Sequence, residues 1–481
     1  MSATQRLVPE PSDDSTIGLS AAALVAAYAQ GSVTPVEVVE RAFEHAAALD
    51  EDAIIVAANR EDALRQAALS LERYRKNAVL GPLDGVPVAI KDELDVRGYH
   101  TRVGTRFLGS KVADTDATVV ERLRRQGAVI FAKLNMHEIG IGVTGINPHF
   151  GAVRNPYDTR RMTGGSSSGS GAAIAAGLCP IAIGADGGGS IRIPAALCGV
   201  VGLKATFGRI SEFGAAPLCW SVGHVGPMGL NVSDVAMAYQ AMAGPDDADP
   251  QSGFQPPVAP WLGRPASLNG LRIGVDWPYL NSASSEVAEI CSKAIHRLEA
   301  SGATIRNVNL PNPDLVRSAH MVTIVSEMLS AMSAYPREQF GYDVRLNLAL
   351  AQHLKASDYV KAQRLRTAIY QSVMQCFEQV DVIVKPATAI TAPVIDDNAL
   401  TTGLSDLSLL DALMRFAPLA NLTGLPALSL TAGYDQGGLP IGLQCMGRPW
   451  DEGTLLDVGA VLESQTPRQL AQKYRSLLDG P

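Results

Sequence analysis

A chain of 481 residues with 47% apolar and 18% charged residues, 45 glycines and 29 prolines has the profile of a compact globular protein, which excludes a disordered or fibrous one. Forty basic against 48 acidic residues leave a net charge of −8, and no basic run exceeds the RLRR of 122–125, so neither nucleic acid nor an anionic membrane is expected as a partner. That run reads as a solvated helix face. Cys179, Cys198, Cys219, Cys291, Cys376 and Cys445 form no C-x-x-C pair and have no histidine at metal-ligand spacing; they read as buried small hydrophobes in a reducing compartment, with no metal. The first fifteen residues lack a signal pattern, and the longest apolar stretch, 171–185, is too short for a bilayer and contains Pro180. A cytoplasmic protein is expected.

In chain order, SAAALVAAYAQG, bounded by Ser20 and Gly31, predicts a helix. TPVE then predicts a second, with Thr34 as N-cap, Pro35 at the first helical position, Glu37 closing a capping box and Val38, Val39 and Phe43 on one face. Residues 1–80 therefore read as helical and structural. From about 81 the pattern changes: VPVAIKD and AVIFAK are too short for helices and alternate with helical segments such as DATVVERLRRQG, which predicts an α/β protein with a largely buried sheet. The Pro/Gly-rich stretch 244–265 reads as an excursion. Beyond it, LRIGVD and VDVIVKPA predict strands, with long helices between about 314 and 380. No internal repeat is found, and the whole chain, 1–481, reads as one domain made of an N-terminal part (1–80), a core (81–243), the excursion (244–265) and a C-terminal part (266–481).

The segment GGSSSGSG, 164–171, concentrates the functional question. A flexible linker is disfavoured because AAIAAGL follows at once with strong helix formers. Gly169 and Gly171 imitate the start of a dinucleotide fingerprint, a weak match, and no P-loop motif occurs. Gly165, Ser167 and Gly169 fit G-x-S-x-G, but the hydrolase elbow also requires a late histidine, and the last one is His353, with 128 residues after it.

A second glycine loop, GADGGGSIRIPA, follows the first, and a lysine ends the strand VPVAIKD. These three elements, with Ser166 75 residues after Lys91 and Ser190 24 after Ser166, closely resemble the amidase signature family. The resemblance runs from GPLDGVPVAIKD to VGLKATFGRI and resumes at VDVIVKPATAITAP and LTGLPALSLTAG. It implies the family's fold, a large mixed β-sheet covered by helices on both faces, and an enzyme with no cofactor.

It further implies that Ser190 is the nucleophile, Ser166 a bridging serine after a cis peptide bond with Gly165, and Lys91 the base. A serine hydroxyl needs a neighbouring base, and lysine is a recognised substitute for histidine; it acts in its neutral form, which burial beside Val88 and Ile90 would favour. The resemblance makes the backbone N–H groups of Gly187, Gly188, Gly189 and Ser190 an oxyanion hole. Many family members carry Thr at the position of Gly187. Asp186 and Arg192 are expected to pair and hold the loop. His137 receives no role in proton transfer, while Met136 is a candidate contact for the acyl side of a substrate.

Amides, esters and carbamates all suit this chemistry. The loops look more like the fatty acid amide hydrolase branch than the A-type subunit of the glutamine-dependent amidotransferases, which typically has Gln where this chain has Ile193. The 310–420 region, with SEMLSAMSAY and LSLLDALMRFAPLANL, supplies Leu and Met suited to a hydrophobic acyl or aryl group, although amphipathic core helices look the same. The expected partners are a small-molecule substrate and water, with a homodimer common among similar proteins.

Overall fold

Local signals in the N-terminal part are realised as written. In the computed structural model, which describes residues 20–262 and 266–479, Ser20 caps helix Ala21–Gln30 and Gly31 ends it. Thr34 and Glu37 exchange both bonds of the capping box at the start of helix Pro35–Ala48.

Among the described residues thirteen strands follow: β1 (Ile55–Ala58), β2 (Pro87–Lys91), β3 (Val129–Leu134), β4 (Arg154–Asn155), β5 (Asp158–Met162), β6 (Ile181–Ala185), β7 (Val201–Lys204), β8 (Val225–Gly229), β9 (Arg272–Val275), β10 (Thr304–Asn307), β11 (Val382–Pro386), β12 (Ala427–Tyr434) and β13 (Pro440–Gly447). Eleven join one sheet in the order β1-β3-β2-β6-β8-β7-β12-β13-β11-β9-β10, with β4 and β5 paired apart. The sheet is mixed. β3, β2 and β6 run parallel, as do β11, β9 and β10, and antiparallel pairings through β8, β7, β12 and β13 connect the two blocks.

Alternation along the strands explains why both faces are covered. Val88 and Ile90 of β2, like Ile181 and Ile183 of β6, enter one apolar cluster, while Ala89 and Ala182 between them enter another. The first cluster includes helix Val232–Met242 and helix Ser285–Ala300; the second, rich in alanine, receives helix Ser168–Ala175, which begins within the Gly/Ser run. Small residues on this second face let that helix lie close to the sheet.

Three expectations change in detail. The RLRR run lies on helix Thr118–Arg125, and of its four residues only Arg125 is exposed: Arg122 donates to the carbonyls of Met242, Gly244 and Pro245, and Arg124 pairs with Asp116 at 2.9 Å. The run is a clamp, since guanidinium groups reach carbonyls that a helix end leaves open. Four cysteines are buried, but Cys219 and Cys376 are half-exposed. Of the 244–265 stretch, 263–265 lie outside the described residues; before them, Asp246 accepts from Thr118 and Ser211, both at 2.6 Å, which ties the excursion to the core.

Candidate active site

Strand ends position the site. Lys91 is the last residue of β2 and is 1% exposed, and β6 ends at Ala185, so both deliver their following loops to one edge of the sheet. The Lys91 Nζ donates to Ser166 Oγ at 2.8 Å and to the Ala185 carbonyl at 3.2 Å. The Gly165–Ser166 peptide is cis.

The Gly/Ser run is spent on close packing. A Cβ on Gly169 would lie 2.7 Å from the carbonyl oxygens of both Ile54 and Asn135, and the Gly169 amide donates to Asn135 at 2.9 Å. Glycine is required there by proximity alone. The Ser167 hydroxyl is buried and donates to the Ala185 carbonyl at 3.1 Å while accepting from the Ala185 amide, so it pins the end of β6. Its own amide donates to the Ser190 carbonyl at 3.1 Å and thereby joins the two serine loops.

Ser190 is 4% exposed, and among the described residues its hydroxyl makes no hydrogen bond. The loop carrying it folds around Asp186, which accepts from the amides of Gly189 (2.7 Å) and Ile191 (3.0 Å), from Asn421 Nδ2 (2.9 Å) and from Arg192 through two nitrogens at 3.0 Å each. Burial disfavours the ionised form, yet the Arg192 guanidinium and these hydrogen bonds hold the Asp186 carboxyl far below the usual range. Gly189 has φ +121, a conformation that side chains rarely adopt.

This geometry narrows the expected oxyanion hole. The Gly189 amide is taken by Asp186, so the candidates are the amides of Gly187, Gly188 and Ser190, which donate to no acceptor among the described residues. Asp186 claims the Gly189 proton because a buried carboxylate needs every donor within reach.

Several contacts had no sequence expectation. Glu93 Oε2 lies 2.7 Å from Lys91 Nζ, a buried contact that is an ion pair whenever the lysine carries the extra proton. His320, from helix Pro313–Met332, sets its Nε2 2.7 Å from the Gly187 carbonyl. Gln444 of β13 and Asn421 complete the ring around Arg192. Glu93 had a local signal, two residues beyond a strand lysine; the others come from distant parts of the chain.

The surroundings are apolar. Met136 packs with Ile139, Leu218 and Met328, and its Cε lies beside Gly140, as does Ser166 Oγ. Ile193, Leu413 and Ala417 form a second patch that touches Gly189. His137 hydrogen-bonds through its amide to the Ser166 carbonyl at 3.1 Å, while its ring faces Thr144 and Asp343.

The comparisons agree with this architecture. A family model described as Amidase matches residues 37–456. A fatty acid amide hydrolase from Arabidopsis thaliana is 38% identical over 92% of this chain and 75% of its own length. The A-type subunit of the glutamyl-tRNA(Gln) amidotransferase from Symbiobacterium thermophilum is 35% identical over 94% and 98% of the two chains. The solved peptide amidase from Stenotrophomonas maltophilia superposes with a TM-score of 0.84 at 28% identity, over 95% of this chain and 99% of that one. The chain belongs to the amidase signature family and has its α/β fold. Membership supports a hydrolase acting on amides. Among the described residues, no helix is long and apolar enough to cross a membrane.

Proposed function

We propose that this protein is an amidase that cleaves the C–N bond of hydrophobic acyl or aryl amides, with carbamates and esters as further substrates, through an acyl-enzyme on Ser190. The observation that carries the reading is the 2.8 Å contact between Lys91 and Ser166, with Ser190 coupled to the same loop through the Ser167 amide. Ser190 Oγ attacks the carbonyl carbon and passes its proton to Ser166, whose own proton goes to the neutral Lys91 amine. The carbonyl oxygen gains negative charge facing the amides of Gly187, Gly188 and Ser190. Collapse breaks the C–N bond, and the departing nitrogen takes a proton back from Lys91 by way of Ser166. Water then enters as nucleophile, activated by the same pair, and releases the acid.

Glu93 fits this cycle as a positioning residue. Its carboxylate faces the ammonium that Lys91 becomes after proton uptake, much as a carboxylate steadies imidazolium in other triads. The apolar patches around Met136 and Ile193, and the likeness to a fatty acid amide hydrolase, support a hydrophobic acyl group.

The test is amine release by purified wild-type protein and by Ser190→Ala across anilides and carbamates of increasing acyl size, without ATP or acceptor. Loss of more than about 10³-fold in the variant is expected. A second reading, nitrogen transfer within a multi-chain complex, is favoured by the end-to-end likeness to the A-type chain of a glutamyl-tRNA(Gln) amidotransferase. It would be preferred if the isolated chain released ammonia from glutamine only when partner chains were added.

A further inference from the structure

Beside the lysine a cavity of about 250 Å³ opens against the nucleophile loop, joining Ala185, Asp186 and Gly187 to segments 212–220 and 248–251. Among the described residues four carboxyl groups line it, and no Lys or Arg does. Asp186 is neutralised by Arg192, and Glu93 is in contact with Lys91. Asp249 accepts only amide protons, from Glu212 and Gln251. Among the described residues nothing donates to the Glu212 carboxylate itself, which is half-buried. His224, on the same wall, adds no positive charge, because burial and then the neighbouring Lys204 ammonium hold its imidazole well below the ordinary value.

The mouth has a complementary character. Trp220 is 66% exposed and Phe213 48% exposed, and both line the cavity with the carboxylates behind them. Aromatic faces over carboxyl groups that lack a cationic partner attract organic cations, through the ring quadrupole at the rim and by the charge that Asp249, and Glu212 once it gives up its proton, carry within.

Resting on the amidase reading above, we propose that this cavity is a subsite for the leaving half of the substrate, and that it selects amides whose amine carries a second, cationic nitrogen, as an ammonium or guanidinium group. The departing nitrogen receives its proton from Lys91 through Ser166, so the leaving group lies on the lysine side of the carbonyl. Glu93 forms both the lysine's ion pair and part of the cavity wall, which places the cavity on that side. A cation there gives Glu212 the partner it lacks; a neutral amine leaves the carboxyl group without one.

The test measures binding apart from turnover. Calorimetry at pH 9, above the value of about 8 to which burial and the neighbouring carboxylates push Glu212, on full-length Ser190→Ala compares N-benzoyl-4-guanidinobutylamine, whose charge is permanent, with neutral N-benzoylpentylamine. The guanidinium amide should bind about tenfold tighter, with the preference erased by adding Glu212→Gln and retained in Glu212→Asp. Equal affinity for the two amides, or a preference that survives Glu212→Gln, overturns the subsite; the first comparison needs no cavity variant and stands even if Glu212→Gln does not fold. A Glu212-dependent preference without amine release by the wild type would sink the amidase reading and leave the subsite standing. Release from both amides at equal affinity would do the reverse.

Discussion

Two buried ion pairs flank the loop that carries Ser190, and they differ in how completely they are satisfied. Asp186 and Arg192 meet through two hydrogen bonds, and both are further held by backbone, by Asn421 and, for Arg192, by Gln444. Lys91 and Glu93 meet in a single 2.7 Å contact, beside a cavity and a serine hydroxyl. A pair held by backbone amides and side-chain amides fixes a shape, whereas a pair whose lysine also hydrogen-bonds a serine hydroxyl can exchange a proton with it. On the proposed reading, the first pair holds shape and the second carries chemistry.

That division can be broken by substitution. Lys91→Ala should lower anilide hydrolysis by about 10³-fold or more and cost less on a matched ester with a good leaving group, since the ester asks for no proton at its departing oxygen. Equal losses on both substrates would remove Lys91 from proton transfer. Arg192→Leu should instead appear in stability, by about 3–5 kcal/mol in denaturant unfolding, because it leaves the Asp186 charge buried without its cation. A variant as stable as the wild type but inactive would mean that the saturated pair also takes part in chemistry.

Smaller effects sharpen the contrast. Glu93→Gln keeps shape and removes charge, so kcat should fall about tenfold while unfolding changes little, and the pH profile of kcat should shift; an unmoved profile would make Glu93 purely structural. Burial first, and then the carboxylates of Glu93, Asp249 and Glu327, push Glu212 up to about 8, from an ordinary value of 4.5. Between those values the unfolded chain has released the proton while the folded chain keeps it, so stability falls as pH rises through this window and levels off above it. Melting temperatures from pH 5 to 9 should therefore show Glu212→Gln gaining on the wild type up to about pH 8, and parallel curves would refute the raised affinity for the proton.

How much of this the sequence disclosed depended on range. Capping at Thr34, the strand ending in Lys91 and the turn into helix Ser168–Ala175 are local, and their residues announce them. The family resemblance supplied the grouping of Lys91, Ser166 and Ser190, which spacing alone could not. Helices between 313 and 379 were legible as helices, but His320 beside Gly187 was not, since nothing within one turn of it differs from an amphipathic surface. The oxyanion expectation met a limit for a related reason: four adjacent amides look alike in sequence, and only the fold reveals that the Gly189 amide donates to Asp186.

His320 links two parts of the molecule that otherwise answer to different demands. If the proposed hydrophobic acyl pocket holds, helix Pro313–Met332 can exchange apolar side chains to suit new acyl groups, while the serine loops depend on β2, β6 and β13. The imidazole against the Gly187 carbonyl is the point where that freedom ends. A lineage drifting toward other substrates would be free along the rest of the helix and tethered at this one rung, and a designer who grafts a new wall onto the core should carry the rung across with it.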